Sequence, residues 1–235
     1  YAERCVRCGR CDDAAPPGGD ERLRCEACAF DARMMVGTPY TAEALYEAAL
    51  RDERLYDTTG GGVTLSGGEV MAQDMDFLTE LMTRFKKRGV RVAVDTCGFA
   101  PWAYFERILP LADIFLYDLK TLDPEKHLHL TGVDNPLILD NLIRLAKSGA
   151  DIRLRIPVVP GANADEADMR ALAHWAYGAV GAHPVHLLPY HRVGSDKIER
   201  LGGRARTFDP PSDAEMDRIR EIFIGAGFDR VLIGG

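Results

Sequence analysis

The stretch "GGGVTLSGGE", residues 60–69, decides how the fold is read. Three glycines lead into a short apolar run, two more glycines follow it, and the carboxylate of Glu69 closes it. A short strand that ends in bare backbone marks a place where something approaches the main chain closely. Phosphate, an adenosyl group or only a tight turn would each suit such a loop, so the segments on either side have to choose.

Outward from this stretch the chain alternates. Helical patterns are predicted near 41–55, 75–88, 102–111, 136–148, 165–178 and 212–226. Between them lie the β-branched and apolar runs "GVTLS", "VRVAVDT", "DIFLYDLK", "DIRLRIPVV", "PVHLLPY" and "RVLIG". Ser212 followed by Glu215 is a capping-box start for the last helix. Strands alternating with helices at this spacing argue for βαβ units and a parallel sheet. Residues 1–38 differ: they lack an apolar period and contain the turn-rich "DDAAPPGGDE".

The charged residues gather at the ends of the predicted strands. Glu69 follows the first, Asp95 ends the second, and Asp118 and Lys120 end the third. Arg155 lies late in the fourth and His191 follows the fifth. Strand side chains alternate, so Asp118 and Lys120 share a face, as do Arg153 and Arg155. Polar groups at the C-terminal ends of parallel strands converge on one mouth, where α/β barrels keep their active sites. A doubly wound sheet also collects ligands there, so the pattern places the site more firmly than the topology. His127 and His129 sit in a predicted helix and read as surface residues, and Cys97 reads as a small packed residue.

Composition removes several function classes. With 235 residues and 46% hydrophobic content, the chain can bury a full core. Its net charge of −7 is spread without a basic run, which argues against nucleic acid as a partner. No apolar stretch approaches the roughly 18 residues of a membrane span, so no membrane partner is expected. Five of the six cysteines fall within residues 5–28, a clustering that reads as metal binding in a reducing, cytoplasmic compartment.

Five ordered motifs together, "GGGVTLSGGEVMAQ", "VAVDTCGFAPW", "DIFLYDLKTLDPEKHLHLTG", "LRIPVVPGAN" and "LLPYHRVGSDKIERLG", resemble the radical S-adenosylmethionine enzymes. More narrowly, they resemble the glycyl radical enzyme activating enzymes. The resemblance implies a partial (β/α)₆ TIM-like barrel over residues 39–235, open on one side to admit a protein substrate, with a ferredoxin-like iron–sulfur insert over 1–38. It implies that a [4Fe–4S] cluster reduces S-adenosylmethionine to a 5′-deoxyadenosyl radical, which takes hydrogen from a glycine Cα of a partner glycyl radical enzyme. An electron donor such as flavodoxin or ferredoxin is implied as a second partner. By the same resemblance Ser66, Gly67, Gly68 and Glu69 receive the methionine end of the cofactor, with Glu69 helping to hold the α-ammonium. Lys120 and His191 contact its carboxylate and neighbouring groups, and Arg155 lies near the cofactor. Asp95 and Asp118 surround the same end, where some relatives hold a monovalent cation.

Residues "CVRCGRC" supply Cys5, Cys8 and Cys11, three-quarters of a bacterial ferredoxin run whose fourth position is Ala15. In two-cluster ferredoxins that fourth cysteine serves the other cluster, so Cys28 from a second run becomes the fourth ligand, with Cys25 in reserve. The alternative is structural zinc on Cys5, Cys8, Cys25 and Cys28, two CxxC pairs 16 residues apart. The family's CxxxCxxC loop, which leaves one iron open for the cofactor, is not found in the sequence. With Tyr1 at the start, the expectation is an N-terminally truncated copy that lacks the first strand and the catalytic cluster loop and is inactive as it stands. A non-catalytic iron–sulfur or zinc module that docks a partner protein is the alternative function.

Overall fold

The computed structural model of the protein describes residues 1–192 and 207–234. The end of the motif "LLPYHRVGSDKIERLG", residues 193–202, lies outside them. Of the described residues, Tyr1–Tyr40 form one compact unit together with His191, Arg192 and Thr207, and Thr41–Tyr190 with Phe208–Gly234 form the other. His191, expected at the barrel mouth, therefore groups with the cysteine-bearing unit.

The larger unit is built on six parallel strands in sequential order, β1 (Gly62–Leu65), β2 (Arg91–Thr96), β3 (Ile114–Asp118), β4 (Ile152–Val158), β5 (Val185–Pro189) and β6 (Val231–Ile233). Pairing runs from β1 to β6 and does not return, so the sheet stays open, as a partial TIM-like barrel requires. All six apolar runs read from the sequence are strands.

The period of two divides each strand between two environments. Val92 and Val94, Phe115 and Tyr117, Ile152, Leu154, Ile156 and Val158, and Val185 and Leu187 are all buried. They share one core with Leu78, Leu81, Met82, Phe85, Phe105, Leu142 and Leu145 of the helices. The alternate positions, among them Asp95, Asp118, Arg153, Arg155 and His186, are only partly buried and carry the polar groups.

The helices of the first unit are α1 (Arg10–Ala14) and α2 (Glu21–Glu26); α3 (Ala42–Ala49) and α4 (Glu53–Thr59) precede β1. The single helix expected near 41–55 is divided there by a 3₁₀ turn at Leu50–Asp52. Then come α5 (Met75–Arg88), α6 (Trp102–Ile108), α7 (Pro124–Thr131), α8 (Pro136–Lys147), α9 (Glu166–Val180) and α10 (Asp213–Gly225). Helix α5 shows why these segments form. Asp74 caps its first amides, Leu78, Leu81, Met82 and Phe85 make its buried stripe, and Gly89 ends it at φ 81° after three basic residues. The capping box expected at Ser212 and Glu215 is present in full on α10.

His127 departs from its reading as a surface residue. It is 3% exposed, and its Nδ1 lies 2.7 Å from the Val133 carbonyl. Chain reversal at Gly132, φ 87°, folds that carbonyl back over the last turn of α7, so the imidazole is enclosed by its own helix end. His129 is exposed, as expected.

Candidate cofactor and iron–sulfur sites

The C-terminal ends of β1 to β4 hold a chain of side chains of alternating charge. Ser66, one residue past β1, donates to Asp95 Oδ2 at 2.7 Å. Arg155 of β4 donates to the other oxygen of Asp95 at 2.5 Å, and its Nε lies 3.7 Å from Asp118 Oδ1. Lys120 donates to Asp118 Oδ2 at 3.1 Å. The register explains the meeting of Arg155 and Asp118, which are direct partners across β3 and β4. Asp118 Oδ1 is buried and accepts no hydrogen bond. A buried carboxylate oxygen without a donor is costly unless a ligand supplies one.

Two carboxylates and two cations make the array neutral. It suits a zwitterion, whose ammonium needs an acceptor such as Asp118 Oδ1 and whose carboxylate needs a cation such as Lys120. Beside it runs the bare backbone of Gly67 and Gly68. Gly67 has φ 135°, which only glycine adopts readily, and a Cβ on either residue would stand in open space. A ligand can therefore lie directly against the main chain there.

Glu69 holds that loop in place. Its Oε1 accepts from the Met71 amide at 3.0 Å and from Thr96 Oγ1 at 2.6 Å, and its Oε2 accepts from the Cys97 amide at 2.8 Å. The carboxylate thus fastens the glycine loop to the end of β2. Burial, then a hydrogen bond to Glu69, push the Cys97 thiol up, so Cys97 is a protonated, packed residue. The sequence reading did not anticipate Thr96 as a partner of Glu69, although it directly follows Asp95. It also passed over Asn163, 4% exposed, whose amide donates to the carbonyls of Lys120 and Pro157, both at 2.7 Å, and accepts from the Val159 amide at 2.9 Å. Asn163 ties the backbone of Lys120 to the end of β4.

In the smaller unit Cys5, Cys8, Cys11 and Cys28 line one cavity of about 840 Å³; Cys25 is not on its wall. Arg24, the residue before Cys25, holds the two helices of this unit together. It is turned inward, 3% exposed, and donates to the Ala15 carbonyl at 2.6 Å and to Asp12 at 2.7 Å, joining α2 to α1. Ala15, where a fourth ferredoxin cysteine would stand, is packed beneath this arginine and 7% exposed. Among the described residues, no three His, Cys, Asp or Glu lie close enough to hold a single ion. Cys28 is held below the usual thiol range, chiefly by the backbone amide of Phe30, then by that of Arg33, with burial opposing and the Ala32 amide assisting.

These two sites, an array for a zwitterion on a parallel sheet and a cysteine-lined cavity, have a common setting among known proteins. The model of the radical SAM superfamily matches residues 21–173. The chain belongs to the radical SAM superfamily, among the glycyl radical enzyme activating enzymes. It is 36% identical to the trans-4-hydroxy-L-proline dehydratase activating enzyme of Clostridioides difficile, over 99% of this chain and 83% of that one. It is 30% identical to the pyruvate formate-lyase 2-activating enzyme of Escherichia coli, over 99% of this chain and 76% of the relative. A crystallised domain of a pyruvate-formate lyase-activating enzyme from Bacteroides vulgatus superposes with a TM-score of 0.63 at 31% identity, covering 75% of this chain and all of that domain.

Radical SAM proteins use S-adenosylmethionine and a [4Fe–4S] cluster. The residues present suit both. The neutral array, the buried Asp118 oxygen without a donor and the open glycine backbone fit the methionine end of S-adenosylmethionine. The four cysteines of the cavity match the thiolate number of a fully ligated [4Fe–4S] cluster, the kind expected of the insert and distinct from the one that a CxxxCxxC loop leaves open to the cofactor.

Proposed function

We propose that this radical SAM chain is an activating enzyme that takes S-adenosylmethionine at the ends of β1 to β4 and acts on a partner glycyl radical enzyme. A cluster with one iron left open by a CxxxCxxC loop, together with S-adenosylmethionine, would supply hydrogen abstraction at a glycine Cα of that partner; this sequence holds no such loop, and the cluster of Cys5, Cys8, Cys11 and Cys28 is a separate one. The array from Ser66 through Asp95, Arg155 and Asp118 to Lys120 carries the reading, because it offers one neutral, prearranged set of acceptors and cations beside bare backbone. Lys120 is the cation for the methionine carboxylate, and Asp118 Oδ1 accepts the ammonium. Arg155 keeps Asp95 and Asp118 from facing each other unpaired. Gly67 and Gly68 receive the cofactor along the main chain, and Glu69 fixes the loop. A monovalent cation between Asp95 and Asp118 would compete with Arg155, which already bonds Asp95 at 2.5 Å.

Isothermal calorimetry tests this reading. The protein should bind S-adenosylmethionine, and Lys120→Met should weaken binding by about 1.5–3 kcal/mol, the range for a hydrogen bond to a charged group. That corresponds to roughly 10- to 150-fold in Kd. Heat of binding that is equal in both proteins removes Lys120 from the site. No binding in the unaltered protein, with iron still loading, favours a docking module that does not use the cofactor.

The cluster ligands are Cys5, Cys8, Cys11 and Cys28. Support comes from the shared cavity, from the absence of Cys25 on its wall, and from amides turned toward the Cys28 sulfur. The zinc reading takes Cys25 in place of Cys11, and Cys25 is not on the cavity wall. After anaerobic reconstitution, Cys28→Ser should lose the visible iron–sulfur band and most of its iron, while Cys25→Ser keeps about four irons. The reverse pattern would return Cys25 to the ligand set. Thiolate ligands and six free cysteines suit a reducing, cytoplasmic setting, where a flavodoxin or ferredoxin can deliver electrons.

A further inference from the structure

The motif "LRIPVVPGAN" ends in Asn163, which takes no part in the charged array itself. Its side chain is buried, and its polar atoms are all engaged. Oδ1 accepts from the Val159 amide at 2.9 Å, while Nδ2 donates to the carbonyls of Lys120 and Pro157, both at 2.7 Å. One N–H partner and two carbonyl partners admit a single orientation of the amide. The loop that carries it is closed by its own backbone, since the Val159 carbonyl accepts from the Ala162 and Asn163 amides at 3.0 and 3.1 Å.

The place of this side chain in the sheet gives it a purpose beyond closing a turn. Bonding of β3 to β4 runs as far as Leu119, whose amide donates to the Arg155 carbonyl at 2.9 Å. Carbonyls two residues apart leave a strand on the same side, so that of Pro157 faces the line along which β3 would have continued. Strand β3 has ended by then, and Asn163 supplies the N–H. With its second hydrogen it takes the Lys120 carbonyl, so a side chain carries the ladder one step further. The next carbonyl, that of Thr121, accepts at 2.7 Å from Nδ2 of Asn135, which is also buried. Leu119, Lys120 and Thr121 are thus held in turn by β4, by Asn163 and by Asn135. Lys120, in the middle, carries the ammonium that meets Asp118 Oδ2 at 3.1 Å.

Resting on the assignment of Lys120 to the methionine carboxylate, we propose that Asn163 is a positioning residue for S-adenosylmethionine, acting through the main chain of Lys120. The ammonium sits on a long, flexible stem, so where it can reach is set by where its own backbone is held. A backbone fixed in advance leaves less to be ordered when the ligand arrives, and affinity gains by that difference. The effect passes through Lys120 and needs no contact between Asn163 and the ligand.

The test is calorimetry with S-adenosylmethionine on a double-mutant cycle, at a temperature where circular dichroism shows each variant folded. Asn163→Ala should weaken binding about five- to tenfold, on the scale of one lost hydrogen bond. Asn163→Asp keeps an acceptor for the Val159 amide and loses both donors, and it should weaken binding at least as much. In a Lys120→Met background the same two changes should alter affinity by less than about twofold, because the group they position is gone. An asparagine that only supports the fold gives equal losses in both backgrounds, and that result overturns the inference. Unchanged affinity in both Asn163 variants overturns it too, as does failure of both to fold, which would make Asn163 a core residue alone. Lys120→Met that binds as tightly as the unaltered protein fails the site reading itself and takes the inference with it, an outcome visible without any Asn163 variant.

Discussion

Gly98→Ala should be among the most damaging single-atom-scale changes in the chain. Gly98 follows β2 at φ 79°, and a Cβ built there would lie 1.8 Å from Tyr117 Oη and 2.2 Å from Tyr117 Cζ. Tyr117 cannot withdraw. Its ring is completely buried, and its hydroxyl donates to the Ile138 carbonyl at 2.7 Å. The Gly98 carbonyl is fixed as well, accepting from Asn141 Nδ2 at 2.9 Å. Overpacking of this kind costs about 1–3 kcal/mol, and the left-handed backbone of an alanine adds roughly 1–3 more. For a domain of this size the sum implies a fall of about 4–24 °C in Tm. Tyr117→Phe should not rescue the variant, because the ring carbon stays in the way. Thermal unfolding followed by circular dichroism measures both, and a Tm within about 2 °C of the unaltered protein would show that the contact between Gly98 and Tyr117 of β3 yields freely.

Glu69→Gln should carry the second large effect, and it separates positioning from contact. The carboxylate now accepts from two backbone amides and one hydroxyl. A glutamine has only one accepting oxygen, so whichever way it turns, its NH₂ faces either the Cys97 or the Met71 amide. One hydrogen bond to a charged group is then replaced by two opposed donors, at a cost of about 1.5–3 kcal/mol. The stability loss should come with weaker S-adenosylmethionine binding, because the Gly67–Gly68 backbone loses its attachment to β2. Calorimetry at a temperature where the variant is fully folded measures the second effect apart from the first. Weaker binding with unchanged Tm would mean that Glu69 acts on the ligand alone, and the staple would be wrong.

The two variants act on the same strand end. Gly98 admits Tyr117 and Glu69 reaches back to Thr96 and Cys97, so "VAVDTCG" joins the core to the cofactor loop within three residues. Thr96 links the two directly, since its hydroxyl also accepts from the Gly98 amide at 3.0 Å.

The sequence by itself determined the elements of the larger unit. Hydrophobic alternation marked all six strands, because a half-buried strand has to place every second residue in the core. The capping box marked the start of the last helix at Ser212, because its bonds close within three residues. The gathering of Glu69, Asp95, Asp118, Lys120 and Arg155 was also legible, since parallel strands bring their C-terminal ends to the same side, whereas His191, read at the same mouth, groups with the smaller unit. Tertiary structure decided the rest. Which carboxylate each cation meets depends on register, and Asp118 faces Arg155 only because β3 and β4 pair at that step. The role of Glu69 as a staple rests on a hydroxyl and an amide that strand pairing brings near from 27 and 28 residues away. His127 is enclosed by a chain reversal that a helical pattern does not record. That Cys25, kept in reserve by its spacing, lies off the wall lined by Cys5, Cys8, Cys11 and Cys28 depends on how the two cysteine segments pack, which no spacing rule encodes.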